Sequence, residues 1–534
     1  MAVSNRGRPD DGADPGLREV GAQRAMSAVG GWPPRMVQEA RLRELDALLT
    51  NVPEPLGGDA IERHVERAAL LNALGRCDEA RQAYLDILMQ APTHFGALND
   101  FGTMLAATGY RTAARTVYSE AVKRHPDNPK GHVNLANLML RSGDLALARE
   151  HYEIALRLEP EHPQAHQGLG AVLAELGDQA GAAQHRREGY RNHFITTLPY
   201  RGTKPPVPLL LLVSAVGGDV PTASILDDRV FLTSVLVADF FDPCAPLPPH
   251  QLVFNAIGDA ELCEPALQAA AALLQRTAAP VINDPAAVLM TGRAENARRL
   301  AALSGVVTPR IIELPRAALA GPEGASLAAE HGLAFPLLLR TPGCHTGRNF
   351  SLVETAADLA GTAAALPGDD LLMIEYLDAR GADGNARKYR VMIVDGVIYP
   401  LHLAVSRHWK VHYFTADMAE HADHRAEDAA FLADMAGTLG RRAVAALDCI
   451  RNTLGLDYAG IDFGLSPDGD VLLFEANATM VVQPPDPDER WAYRGPAVVR
   501  ILDAVRGMIA GRAGLARETH GPKSISIAPS PSCT

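Results

Sequence analysis

Residues 461–477 read IDFGLSPDGDVLLFEAN. Two apolar runs flank Asp468-Gly469, and a DG pair between such runs is a strong hairpin signal. A two-residue turn there sets Asp462 directly opposite Glu475. Residues two apart on a strand share a face, so Asn477 joins Glu475 on it. Directly opposed side chains have Cβ atoms ~5 Å apart, and facing carboxylates repel. Their neighbours Ile461, Phe463, Leu472, Leu473 and Phe474 are core-like, so the pair needs a cation or a shared proton. Two carboxylates and an amide oxygen are hard donors. They suit Mg²⁺ that also binds a nucleotide's phosphates. The competing reading is a solvated hairpin whose acids hold nothing.

Upstream, Lys388–Val394 and Val397–Val405 form a second expected hairpin about Asp395-Gly396. An amphipathic helix over about 425–453 is expected to pack on the sheet rather than bind a ligand. Leu371–Leu377 reads as a strand ending in Glu375-Tyr376-Leu377. The run FPLLLRTPGCHTGRNFSLV, residues 335–353, reads as strand, loop, strand. Its loop carries Gly343, His345, Thr346 and Gly347, and such a loop can aim backbone N–H groups at a phosphate. Val306–Ile312 reads as one further strand. Pro208–Ser214, Leu252–Ile257 and Val281–Asn283 are short apolar runs, with a helix expected over about 261–277. They predict a small doubly wound unit over 205–290. Ligands of such sheets sit at the carboxyl ends of the strands, which puts Asn255, Gly258 and Asp259 at a pocket rim or in a plain turn. A Pro-rich stretch at Arg201–Pro208 separates this unit from what precedes it.

The N-terminal third is periodic. Gly75, Gly109, Gly143 and Gly177 fall 34 residues apart, as do Ala80, Ala114, Ala148 and Ala182. Tyr84, Tyr118 and Tyr152 keep the step, as do Pro92, Pro126 and Pro160, and Arg186 stands where a fourth aromatic is due, as expected of a capping repeat with one wet face. Glycine suits the turn between paired helices, alanine their close approach, and proline the end of each unit. His132 and His166, one period apart, read as repeat positions rather than metal ligands. This pattern resembles the tetratricopeptide repeat, a solenoid of helix pairs, over residues 36–198. Its expected role is a groove for a peptide or protein partner, or assembly into a homodimer.

The chain has 534 residues and a net charge of −13. An acidic chain without Lys/Arg runs argues against nucleic-acid binding. Its six cysteines form no CxxC pair, which argues against a zinc or disulfide framework. No apolar run reaches bilayer length, so the expected setting is the cytoplasm with no membrane partner. Residues 1–35 and 514–534 read as disordered flanks.

Asp462, Glu475 and Asn477, with the EAN tripeptide, resemble the magnesium triad of the ATP-grasp superfamily. The likeness is closest to glutathione-synthetase-like carboxylate–amine ligases and spans about 205–510. The implied fold class is α+β and multidomain: an all-α tetratricopeptide solenoid, an α/β pre-ATP-grasp domain (205–290) and an ATP-grasp domain (291–513). The resemblance implies ATP and Mg²⁺ as cofactors. Glu375, Tyr376 and Leu377 would lie at adenine, Asp383 or Asp378 at the ribose, and Gly343, His345, Thr346 and Gly347 at the phosphates. Arg390 matches the family's basic residue near the reacting carboxylate, with Lys410 beside it. The family usually carries lysine where this chain has Arg293 and Arg340. The implied activity is ATP-dependent ligation of a small-molecule or peptide carboxylate to an amine. A nucleotide-sensing repeat scaffold and an ATP-grasp kinase are the alternatives.

Overall fold

The structure is a computed structural model that describes residues 35–50, 57–343, 349–411 and 416–515. The expected disordered flanks, apart from Arg35, Gly514 and Leu515, lie outside the described residues. So do His345, Thr346 and Gly347 of the glycine loop.

The 34-residue period builds paired helices. They are α1 (Arg35–Leu49), α2 (Gly58–Ala73), α3 (Cys77–Gln90), α4 (Phe95–Ala107), α5 (Arg111–Arg124), α6 (Pro129–Arg141), α7 (Leu145–Leu158), α8 (Pro163–Glu175) and α9 (Gln179–Tyr190). Each periodic glycine turns one helix into the next in the left-handed region, Gly143 at φ 78 and Gly177 at φ 88. There a Cβ would be strained. The periodic alanines are fully buried, and the tyrosines fill the space over small residues. A Cβ on Gly102 would come within 2.6 Å of the Tyr118 ring. These features fit a tetratricopeptide solenoid.

Beyond α9 the described residues make three sheets. The first orders β1 (Ile195–Thr197), β2 (Val207–Val213), β3 (Phe231–Val237), β4 (Leu252–Asn255) and β5 (Val281–Ile282) as β1-β3-β2-β4-β5. All neighbours are parallel except β1, which runs antiparallel to β3. Leu209, Leu210, Leu211 and Leu212 are buried, as an apolar run in a doubly covered sheet requires. The sequence reading ended the repeat unit at 198. The strand at 195–197 already belongs to this sheet, and Tyr190 of α9 stacks on Phe240 at 5.2 Å. The two units therefore share a seam.

The single strand expected over Val306–Ile312 divides between two sheets. β6 (Val306–Val307) pairs with the last strand of the chain, whereas β7 (Ile311–Pro315) joins β8 (Leu337–Arg340), β9 (Phe350–Val353) and β10 (Asp370–Glu375) in the order β7-β10-β8-β9. The third sheet adds β11 (Ala386–Val394), β12 (Val397–Ser406), β13 (Tyr458–Leu465) and β14 (Val471–Asn477) in the order β12-β11-β13-β14-β6. Asp395 and Gly396 join β11 to β12 with φ 48 and 75, the backbone of a two-residue hairpin turn. The expected long helix is broken at Asp434, between Ala422–Ala433 and Met435–Leu454, and the latter is itself kinked at Gly440, whose φ is 78. Asp434 ends the first and caps the second by accepting from Gly437 N at 2.8 Å. Among the described residues no helix is long and apolar enough to cross a membrane.

Candidate functional site

Asp462 does pair with Glu475, but by another route than a two-residue turn. Leu465 faces Val471, and Ser466 N donates to Asp470 O at 2.9 Å. The loop is therefore the three residues Pro467-Asp468-Gly469, closed by Gly469 at φ 80. That turn alone would set Asp462 against Phe474. A bulge between Asp462 and Phe463 takes up Phe474 and brings Glu475 opposite Asp462.

The pairing continues across the sheet. Arg390 of β11 lies opposite Asp462 on one side and His402 of β12 on the other. His402, Arg390, Asp462 and Glu475 thus form one transverse row. A second bulge, after Arg390, leaves Leu401 as the extra residue of β12. Bulges turn two successive side chains to one side. Accordingly Leu401 and His402, and Phe474 and Glu475, all line the same cleft, of about 1130 Å³.

Each acid of the row is paired with a cation. Asp462, 3% exposed at its side chain, accepts from Arg390 Nε at 2.5 Å, from Arg390 Nη2 at 2.7 Å and from Lys388 Nζ at 2.9 Å. Burial disfavours its charge, but Arg390 and Lys388 outweigh burial and hold the carboxyl far below the ordinary range. Glu475 Oε1 accepts from Arg293 Nη2 at 2.6 Å and from Asn477 Nδ2 at 3.0 Å. Asn477 Oδ1 accepts from Thr479 N and Oγ1, so Asn477 turns its amide N–H, not its oxygen, toward Glu475. Burial, then the neighbouring Arg390, pushes His402 well below the usual imidazole value, which keeps it neutral.

The other expected residues fall in two groups. Arg293, Arg340, Gly343, Glu375, Tyr376, Leu377 and Lys410 all line the cleft with the row. Arg340 and Lys410 flank the Phe350 ring at 5.4 and 5.8 Å, and burial with the Arg340 charge lowers the Lys410 ammonium. Glu375 Oε2 accepts from Arg310 N at 3.0 Å, and Glu375 N donates to Arg310 O. Asp383 is not among the lining residues. It is clamped by both terminal nitrogens of Arg387 at 2.9 Å, and Asp378 is likewise held by Arg380. Of the rim residues, Asp259 lines the cleft, while Asn255 is a buried brace between Ile257 and Asn283.

Sequence reasoning passed over Lys388, although it lies two residues before Arg390 and shares its face by the period-two rule. It also passed over the last repeat, whose Glu175, Gly177, Gln179 and Arg186 form part of the cleft wall.

A family model described as Tetratricopeptide repeat matches residues 133–192. Among solved structures, "MamA 41-end from Desulfovibrio magneticus RS-1" is 23% identical, with 30% of this chain and 94% of that chain covered, at a TM-score of 0.25. "MamA RS-1 ArsTM double mutant" is 23% identical, with 29% and 84% covered, also at 0.25. TTC0263, a thermophilic TPR protein in Thermus thermophilus, is 17% identical, with 29% and 83% covered, at 0.26. No curated protein matches the chain. Residues 133–192 thus carry the tetratricopeptide repeat, and the helical array of the N-terminal third fits a solenoid of that type.

Proposed function

We propose that the chain is an ATP- and Mg²⁺-dependent ligase of the ATP-grasp type, which activates a carboxylate as an acylphosphate and joins it to an amine. The observation that carries the reading is the transverse row. Two carboxylates lie opposite each other in a cleft that also holds Arg340 and the Glu375-Tyr376-Leu377 strand end. The donors fit a hard divalent cation. Asp462 and Glu475 would hold it, and their present partners Arg390, Lys388 and Arg293 would turn toward phosphate. Asn477 orients Glu475 and reaches a cation only by giving up Thr479. Magnesium, when bound, neutralises charge between the phosphates.

The rest is done by the chain's own side chains. Phosphoryl transfer asks the protein for position and charge rather than covalent chemistry. Arg390 lies between Asp462 and the neutral His402 in the row, so its guanidinium would have only a short turn to make toward phosphate. Arg340 and Lys410 converge on Phe350 at the far wall and bring positive charge to the phosphate side.

The repeats add a protein-interaction surface. Such arrays present extended binding faces, and here the array leads directly into the cleft. A peptide or protein partner held on the array therefore gains a high local concentration at the site. Assembly through the array is the other use of the same surface.

The test is ATP turnover with a panel of amino acids and peptides, scoring free phosphate and amide product together. The ligase reading expects both, and near-complete loss of both in Glu475→Gln with the fold retained. Phosphate transferred to a hydroxyl would mean a kinase. Nucleotide binding without turnover would mean a sensing scaffold.

A further inference from the structure

The repeat register contains one substitution that the array does not need. Tyr84, Tyr118 and Tyr152 occupy a single repeat position and are buried at 1%, 4% and 0% exposure. Arg186 holds that position in the last repeat. Its stem keeps the tyrosine's seat: a Cβ on Gly170 would meet Arg186 Cγ at 3.2 Å, as one on Gly102 would meet Tyr118. Arg186 lines the cleft, together with Gly177 and Gln179 of the same repeat. Val216, Gly218 and Asp219, at the carboxyl end of β2, line it as well. Gly217 and Gly218 both have positive φ there, and this end of a doubly wound sheet is where ligands sit.

The cations of the row are engaged: Arg390 and Lys388 by Asp462, Arg293 by Glu475. Arg186 is not. Among the described residues no carboxylate or carbonyl pairs with it: Asp239, whose charge reaches it, is bonded to Ser214 and Ala215, and the Arg186 Nε, shielded from solvent, has no hydrogen-bond partner. Shielded donors are nearly always satisfied in folded proteins. The planar fork of an arginine is matched to a carboxylate or a phosphate, which it can bind through two bonds at once. The cleft exceeds the usual ~300–1,000 Å³ of a small-ligand pocket, so it has room beyond a nucleotide.

We infer that Arg186 is an anion-binding residue. It receives a carboxylate or phosphate of the second substrate, whose body then spans from the acid row to the last repeat. Only the placing of the substrate's other end rests on the ligase reading.

The experiment uses the full chain with Mg²⁺ and a non-hydrolysable ATP analogue present, so that the nucleotide's own phosphate positions are filled. Inorganic phosphate and N-acetyl-triglutamate are titrated calorimetrically into wild type, Arg186→Gln, Arg186→Lys and the control Arg187→Gln, whose side chain is exposed. A lost charged hydrogen bond predicts on the order of 10-fold weaker probe binding in Arg186→Gln. Arg186→Lys should recover part of it, Arg187→Gln should match wild type, and analogue affinity should be unchanged throughout. Preference for one probe assigns the anion as phosphate or carboxylate, and either result supports the site. Equal behaviour of wild type and Arg186→Gln toward both probes, including no binding by either, overturns it. Failure of wild type to bind the analogue, with probe binding still dependent on Arg186, would sink the ligase reading and leave this one standing.

Discussion

Asp462→Asn is the sharpest perturbation of the row. The carboxylate accepts three charge-assisted hydrogen bonds, from Arg390 and Lys388, whose side chains are 21% and 15% exposed. Removing one partner of a buried ionic cluster costs about 3–5 kcal/mol, because the remaining charges stay buried without compensation. Asparagine still accepts one bond, so the lower end, about 3 kcal/mol, is expected. For a unit of this size that is roughly a 6–12 °C fall in melting temperature. The pH dependence has a definite sign. The native Asp462 carboxyl titrates far below its unfolded value, so its contribution is complete above about pH 4 and fades as the pH falls further. The gap between wild type and variant should therefore be constant from pH 7 to 5. Below pH 4 it should narrow by about 1.4 kcal/mol per pH unit. Melting of the nucleotide-free full chain, followed by circular dichroism at pH 7, 5, 4 and 3, reads this directly. Equal melting temperatures at pH 7, or a gap that ignores pH, would refute the argument that the row is held by buried charge.

Further outcomes follow from other parts of the fold. Gly143→Ala places a side chain at φ 78 and should cost about 1–2 kcal/mol, measured by urea unfolding of the helical signal. A chain starting at Gly189 keeps Tyr190 on Phe240 and β1 on β3, whereas one starting at 205 loses both. The longer form should be soluble and melt several degrees higher, since burying one large side chain contributes about 1.5–3 kcal/mol. His402→Ala should leave the fold intact yet raise the KM for ATP in a turnover assay, because it empties the position opposite Arg390 in the row. An unchanged KM would free His402 of that role.

The repeat was legible because its signals are local. A glycine that must adopt positive φ and an alanine that must touch its neighbour recur at a fixed step, and each keeps its job in the structure. The acid pair was legible for a less secure reason. Counting outward from Asp468-Gly469 reached Glu475 only because a three-residue turn and the extra Phe474 offset each other. Neither is visible in an alternation pattern. Lys388 was legible by the period-two rule, since it shares a strand face with Arg390, which the family resemblance marked. The walls were not. Arg186 is some 200 residues from the nearest strand of the row, and only the packing of α9 against the first sheet brings it there. The break at Asp434 was readable as a cap, since aspartate three residues before a glycine amide is a helix start, but the apolar stripe runs through it and hid it.

The bulge at Phe474 also separates chain length from pairing. β14 carries one residue more than its ladder uses, and the surplus lies between Leu473, opposite Phe463, and Glu475, opposite Asp462. Deleting Phe474 would shorten the strand to plain alternation with Asp462 still facing Glu475. What would be lost is an aromatic wall of the cleft and the ring's approach to Gly464. Deleting Ala476 would instead carry Asn477 to the opposite side of the sheet, away from Glu475. Two neighbouring one-residue deletions thus have opposite meanings: one trims the cavity and keeps the acids, the other breaks the pairing that orients them.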